Sequence, residues 1–418
     1  MREASELASA FRAVRARTAA LCAPLSVEDH QVQPMADASP ARWHLAHTTW
    51  FFEAFVLDGP RFDDAFEFLF NSYYDAVGPR VERSRRGLVT RPGLERIHAY
   101  REAVERRVLA ALAEDRLDGA ARARLELGLH HEQQHQELIL TDAKYLLGTQ
   151  PFWPAYRTDL AAPVDGRDGR DGRDGGAGAA PAATATAWRA LDGGVVRVGA
   201  ADDGGFAFDN ERPAHDVIVR SFALATAPLR NREVQGFLAD DGYREPRLWL
   251  ADGWHAVTAG GWTAPLYWLD GERQYTLGGV RAVDPDATAA HLSYYEADAI
   301  ARWLGARLPT EVEWELAARA AAPDDGDFAD DDRLHPGRDP RPFGGVWEWT
   351  ASSYAPYPGF RPLAGALGEY NGKFMSGQQV LRGGSCLTPR GHVRATYRNF
   401  FPPGARWQMS GARLARDA

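Results

Sequence analysis

Between Leu160 and Ala187 the chain carries DGRDGRDGRDGGAGAAPAATATA, a run with no apolar periodicity and a short Gly-Arg-Asp repeat. Such a segment offers no face that folding could bury. It therefore reads as a flexible connector, and its period and copy number are too small for a solenoid. The chain is thereby divided into two parts that must each build a core. The expected boundaries are residues 1–157, a linker over 158–187, and residues 188–418. At 418 residues the chain exceeds the size that one core usually serves, in keeping with two domains.

The part before the linker is patterned for helices. Ala4 to Leu21 sets Leu7, Phe11, Val14 and Ala19 at helical spacing. Ser39-Pro40 supplies an N-cap and a proline at the first helical position for a second helix through WHLAHTTWFFEAFVL, residues 43–57. Pro92 to Ala113 aligns Ile97, Tyr100, Val104, Val108 and Leu112 in one stripe. A fourth helix runs through LHHEQQHQELILTDAK, residues 129–144, with no Gly or Pro before Leu147. Four helices with a long crossing region after the second predict a four-helix bundle.

Inside the fourth helix His131 and His135 stand four residues apart. At about 100° per residue both imidazoles share one face, one turn apart, which is the geometry of a chelating pair. His130 lies five before His135 and points elsewhere. Two chemistries share these letters. HEQQH matches H-E-x-x-H, in which two histidines hold zinc and Glu132 is the general base of a hydrolase. Alternatively, a histidine from another helix completes a three-histidine iron site. His47, in the apolar second helix, is the candidate, although the pattern equally suits a core histidine. The aromatic stretch FDDAFEFLFNSYYDAVG, residues 62–78, contains the adjacent Tyr73 and Tyr74 and leads into RVERSRRG. Its arginines are either a solvated loop or carboxylate clamps beside a tyrosine pair.

From Trp188 onward short β-like runs, Val195–Val198 and His215–Val219, alternate with glycine-rich turns. Asn231 opens one helix. Ser293 with Glu296 and Thr310 with Glu313 are capping boxes for two more. The second part is thus a loop-rich α+β domain. Lys and Arg number 48 against 57 Asp and Glu, a net charge of −9, and no basic run marks a nucleic-acid footprint. The two cysteines, Cys22 and Cys386, provide neither a disulfide framework nor a cysteine-rich zinc site and suit a reducing, cytoplasmic setting. With no signal-peptide core and no long apolar run, no membrane association is expected.

Longer motifs resemble known families. GARLPTEVEWELAAR, VWEWTAS, VLRGGS and the closing GARLAR resemble the formylglycine-generating-enzyme-like (sulfatase-modifying factor) fold, a C-type-lectin-related module. LAH around His47 and HHEQQHQEL resemble the DinB-like helical bundle. In this order they resemble the EgtB family of ergothioneine-biosynthesis sulfoxide synthases, over nearly the whole chain outside the linker.

That resemblance implies a non-haem iron(II), dioxygen-dependent enzyme. Its reaction joins cysteine to C2 of the imidazole of hercynine (N-α-trimethylhistidine) and oxidises the sulfur to the sulfoxide. It implies His47, His131 and His135 as the Fe(2+) ligands and leaves Glu132 without a hydrolytic role. FNSYY resembles the tyrosine pair of the cysteine-using subgroup, making Tyr73 and Tyr74 the candidate proton donors and Arg83 and Arg86 the holders of the cysteine carboxylate. TYRNFFPPGARW, residues 396–407, matches the segment that lines the hercynine pocket through Asn399, Phe400 and Phe401, with Gln134 as a polar contact. A quaternary ammonium suits such an aromatic wall. The γ-glutamylcysteine-using branch has Asn-Trp-Asp there, so Asn399-Phe400-Phe401 favours free cysteine. An ovothiol-type 5-histidylcysteine sulfoxide synthase is the nearest alternative, though it commonly bears a methyltransferase domain. A copper formylglycine-generating enzyme would need a cysteine pair near the C-terminus, where Cys386 stands alone.

Overall fold

A computed structural model describes residues 3–160 and 186–418, so the linker expected over 158–187 lies almost wholly outside the described residues. The first half is helical: α1 (Ala4–Cys22), α2 (Ala41–Phe55), α3 (Ala65–Phe70), α4 (Leu94–Ala113) and α5 (Gly119–Gly148). The four long helices correspond to those expected from periodicity, and α3 is a short addition inside the aromatic crossing segment. Helix α5 packs on α1 and α2, and α4 packs on α2 and α1, closing a four-helix bundle.

Two local expectations are corrected. In α1 the buried stripe is Leu7, Phe11, Arg15 and Thr18, and Ala19 is exposed. A charged residue replaces the small apolar one because Arg15 finds bundle partners, donating to Glu132 at 3.1 Å and to Thr49 Oγ1 at 2.9 Å. Helix α2 starts at Ala41 with Pro40 in the cap position and no side-chain cap. Ser39 is engaged elsewhere, its N–H donating to Asp142 and its hydroxyl accepting from Arg86, each at 2.9 Å.

Helix α5 has 30 residues and so spans about 45 Å. Asp118 caps it by accepting from Ala121 N at 2.7 Å. Gly128 lets α2 approach closely, since a Cβ there would lie 2.5 Å from the Phe52 ring. This contact sits one turn before His131 and brings the histidine-bearing faces of both helices together.

The second half contains β1 (Trp188–Leu191), β2 (Gly194–Val198), β3 (His215–Val219), β4 (Phe222–Ala225), α6 (Asn231–Ala239), α7 (Ala251–Gly260), β5 (Arg273–Thr276) and β6 (Gly279–Ala282). It continues with α8 (Tyr294–Trp303), α9 (Glu311–Ala318), β7 (Trp347–Ser353), β8 (Gln379–Arg382), β9 (Asn399–Phe401), β10 (Ser410–Ala412) and β11 (Ala415–Asp417). Strand β4 pairs antiparallel with β1 and β11. A four-stranded sheet runs β10-β7-β8-β9, parallel only between β10 and β7. The pairs β2–β3 and β5–β6 stand apart as two-stranded ribbons. Both expected capping boxes, at Ser293 and Thr310, start α8 and α9. Asn231 opens α6 as expected, its side chain donating to the Asp284 carbonyl at 2.8 Å.

The four sequence motifs of this half hold one another. Glu311 pairs with Arg382 at 2.9 Å and with Arg398 at 2.8 Å, while Glu348 pairs with Arg413 at 2.9 Å and accepts from Trp314 Nε1 at 2.6 Å. All of these groups are buried, so each charge keeps its partner. One apolar core runs through both halves, both cysteines are buried and free, and no described helix is long and apolar enough to cross a membrane.

Candidate functional site

His47 on α2 and His131 and His135 on α5 converge through their Nε2 atoms. His131 Nε2 lies 3.2 Å from that of His47 and 3.0 Å from that of His135, and all three rings are buried. Two nitrogens bound side by side to one ion at about 2.1 Å are separated by about 3 Å, so this spacing fits a single metal with three ligands on one side. It is the only such grouping of three among the described residues. His47 Nδ1 faces the Phe70 carbonyl oxygen at 2.6 Å. A carbonyl only accepts, so the proton sits on Nδ1 and the lone pair on Nε2 points at the other two rings. Burial pushes the pKa of His47 and His135 well down and that of His131 down to about 3, which keeps the rings in the neutral form a metal requires.

Glu132 follows His131 in sequence but turns away from the cluster. It is fully buried between Arg15 and Arg101, at 3.1 Å from each. Burial would raise its carboxyl pKa, but the two guanidiniums outweigh it and hold the group below its ordinary value. A carboxylate fixed between two cations is no general base, and the zinc-hydrolase reading of HEQQH fails on this geometry.

A cavity of about 360 Å³ opens beside the triad and is walled by both halves of the chain. Tyr73 lines it. Tyr74 is packed behind among Trp50, Phe51 and Phe55, with its ring 4.7 Å from that of Tyr73 and its hydroxyl beside the Tyr73 phenol. Arg86 lines the cavity from a short 3₁₀ turn, Arg83–Leu88. Its guanidinium stacks 3.4 Å from the Trp43 ring and donates to Ser39 and Ser72, both at 2.9 Å. Among the described residues no carboxylate pairs with it, and burial lowers its pKa. Arg83 sits exposed at the rim. Asn399, Phe400 and Phe401 form β9 on the opposite wall, Phe400 stacking 4.1 Å from Tyr354. Gln134 also lines the cavity, its amide donating to Tyr397 at 2.7 Å and accepting from Tyr370.

Several residues here are absent from the sequence-based expectation. His44 Nδ1 lies 2.7 Å from His135 Nδ1, and His44 Nε2 lies 3.1 Å from Asp142 Oδ2. The available signal was spacing, since His44 is three before His47 and Asp142 seven after His135, each on its ligand's helical face. Tyr370, whose ring centroid is 5.6 Å from that of His131, comes from a loop with no pattern to mark it.

Family comparison agrees with this division of labour. Residues 10–139 match the DinB superfamily, and residues 177–341 and 342–418 match the sulfatase-modifying factor enzyme 1-like domain. The chain is 33% identical to a hercynine oxygenase of Mycolicibacterium thermoresistibile over 99% of this chain and 95% of that one. It is 34% identical to a hercynine oxygenase of Mycobacterium tuberculosis over the full length of both. A formylglycine-generating enzyme of Streptomyces coelicolor is 28% identical over 54% of this chain and 88% of its own. Similarity to that enzyme covers only about half of the chain, whereas the hercynine oxygenases match both halves in the same order; this chain belongs to the hercynine oxygenase (EgtB) family.

Proposed function

We propose that the chain joins cysteine to the imidazole C2 of hercynine and oxidises the sulfur to the sulfoxide, with ferrous iron held by His47, His131 and His135. In the balanced reaction hercynine gives up its C2 hydrogen and cysteine its thiol hydrogen. One atom of dioxygen goes to sulfur and the other leaves as water. Iron, when bound, supplies thiolate ligation and dioxygen activation. The observation that carries the reading is the neutral three-Nε2 cluster beside a cavity that holds a buried arginine with which no carboxylate pairs among the described residues.

The protein groups take complementary tasks. Arg86 receives the carboxylate of the thiol substrate, regaining the anion its burial lacks, and Arg83 at the rim adds a second cation. Phe400 and Phe401, with Asn399, face the trimethylammonium of hercynine, and Gln134 contacts that substrate from α5. Tyr73 directs a phenol into the cavity. Burial raises its pKa, so the phenol stays protonated at neutral pH and is a proton donor rather than a base.

The test is anaerobic reconstitution with iron(II), then air, hercynine and either cysteine or γ-glutamylcysteine, with products read by mass spectrometry. Hercynylcysteine sulfoxide from free cysteine is the expected product. A γ-glutamyl adduct would overturn the choice of thiol, coupling to histidine alone would favour the ovothiol-type reaction, and no coupling at all would sink the reading.

A further inference from the structure

We infer that Asp142 and His44 are positioning residues for the metal centre, holding His135 in the tautomer and orientation that present its Nε2 to the ion. The inference rests on the metal reading of the histidine triad. Its basis is hydrogen-bond polarity. Asp142 Oδ2, 3.1 Å from His44 Nε2, is a carboxylate oxygen and only accepts, so His44 carries its proton on Nε2. On the metal reading His135 gives its Nε2 lone pair to the ion, so its proton is on Nδ1, which donates to His44 Nδ1 2.7 Å away. His135 Nε2 is aimed at His131 Nε2 at 3.0 Å.

The relay is itself anchored. Asp142 Oδ2 also accepts from the Ser39 N–H at 2.9 Å, and both Asp142 and His44 are buried. Ser39 Oγ accepts from Arg86, so an unbroken run of hydrogen-bonded groups joins the arginine in the cavity wall to a metal ligand. The other two ligands are held differently. His47 is fixed by the Phe70 carbonyl, and His131 Nδ1 has no partner among the described residues. His135 is therefore the ligand whose orientation depends on side chains, and partners of this kind tune metal affinity roughly 10- to 100-fold.

The experiment uses the full-length apo chain, Asp142→Leu, Asp142→Asn and His44→Gln. Cobalt(II) binding is measured against a competing chelator, together with the visible spectrum of the bound ion and the thermal midpoint with and without cobalt. The Leu variant removes the acceptor, whereas the Asn variant can keep an oxygen where Oδ2 accepts from both His44 and the Ser39 N–H, with its N–H₂ at the Oδ1 position that has no partner among the described residues. Expected are roughly 10- to 100-fold weaker binding and an altered cobalt spectrum in Asp142→Leu and His44→Gln. Partial recovery of affinity is expected in Asp142→Asn. Should Asp142→Leu not fold, His44→Gln decides alone. Native affinity and spectrum in Asp142→Leu would overturn the relay while leaving the triad standing, as would a lower apo midpoint with an unchanged spectrum. A native chain that binds no cobalt would overturn the triad and the relay together.

Discussion

Trp347 Nε1 donates to Glu137 Oε1 at 2.8 Å across the junction between β7 and α5. Ser385 Oγ donates to the same oxygen at 2.6 Å, and Thr388 Oγ1 donates to Oε2 at 2.7 Å. Glu137 lies two residues beyond His135 on α5, so the second half grips the ligand helix beside the metal site. Two of the donors belong to the motifs VWEWTAS and VLRGGS, which gives these letters a function besides strand formation.

Glu137→Ala would strand three buried donors. Each unsatisfied group costs about 1–3 kcal/mol, with incomplete additivity because the groups share one carboxylate. The expected result is a clearly lower thermal midpoint by calorimetry, larger than that of Trp347→Phe, which removes one donor only. An unchanged midpoint would mean that the apolar core alone holds the junction.

Arg86→Met keeps an apolar contact on Trp43 and removes the cation. Hydrogen bonds to charged groups contribute about 1.5–3 kcal/mol, so KM for the thiol substrate should rise roughly 10- to 100-fold in steady-state kinetics. The apo thermal midpoint should not fall, because shedding a buried charge that no carboxylate pairs with among the described residues offsets the lost hydrogen bonds to Ser39 and Ser72. An unaltered KM would remove Arg86 from carboxylate recognition.

Tyr73 and Tyr74 are adjacent in sequence but unequal in place. Tyr73→Phe removes a phenol that faces the cavity and should slow coupling by about 10²–10⁴-fold, the usual contribution of a positioned acid. Cysteine should be diverted toward sulfinate, measured as the product ratio by mass spectrometry. Tyr74→Phe deletes a hydroxyl set behind the Tyr73 phenol, outside the cavity lining, and should slow coupling far less than Tyr73→Phe. Equal losses in both variants would assign the proton to the pair rather than to Tyr73.

Lys144 on α5 is buried against His291, Nζ to Nε2 at 2.6 Å, and burial lowers its pKa to about 7. The unfolded chain keeps that amine protonated to its ordinary value of 10.5, so between these limits the unfolded state binds more protons and native stability rises with pH. Below about pH 7 the full cost of burying the amine is felt. The stability of the native chain relative to Lys144→Met should therefore increase between pH 7 and 10, with a slope approaching about 1.4 kcal/mol per unit. Parallel pH profiles of the two chains would show that Lys144 stays charged in the fold.

The sequence alone revealed what repeats locally. Helical periodicity located α1, α2, α4 and α5, capping chemistry located α8 and α9, and the i, i+4 spacing put His131 and His135 on one face, because each of these signals is carried within a few residues. It also offered His47, Tyr73 and Arg86 as candidates, and although the letters HEQQH alone suit a zinc hydrolase or an iron site, the family resemblance set the hydrolase aside. Tertiary packing supplies the physical reason, since Glu132 is held between Arg15 and Arg101 from two other helices and cannot serve as a hydrolytic base. The same holds for the separation of Tyr73 from Tyr74, for the His44–Asp142 relay and for Glu137 at the junction. In each case the deciding partner lies far away in the chain, and a buried polar group's role is set by whatever donor or charge the fold brings within about 3 Å of it.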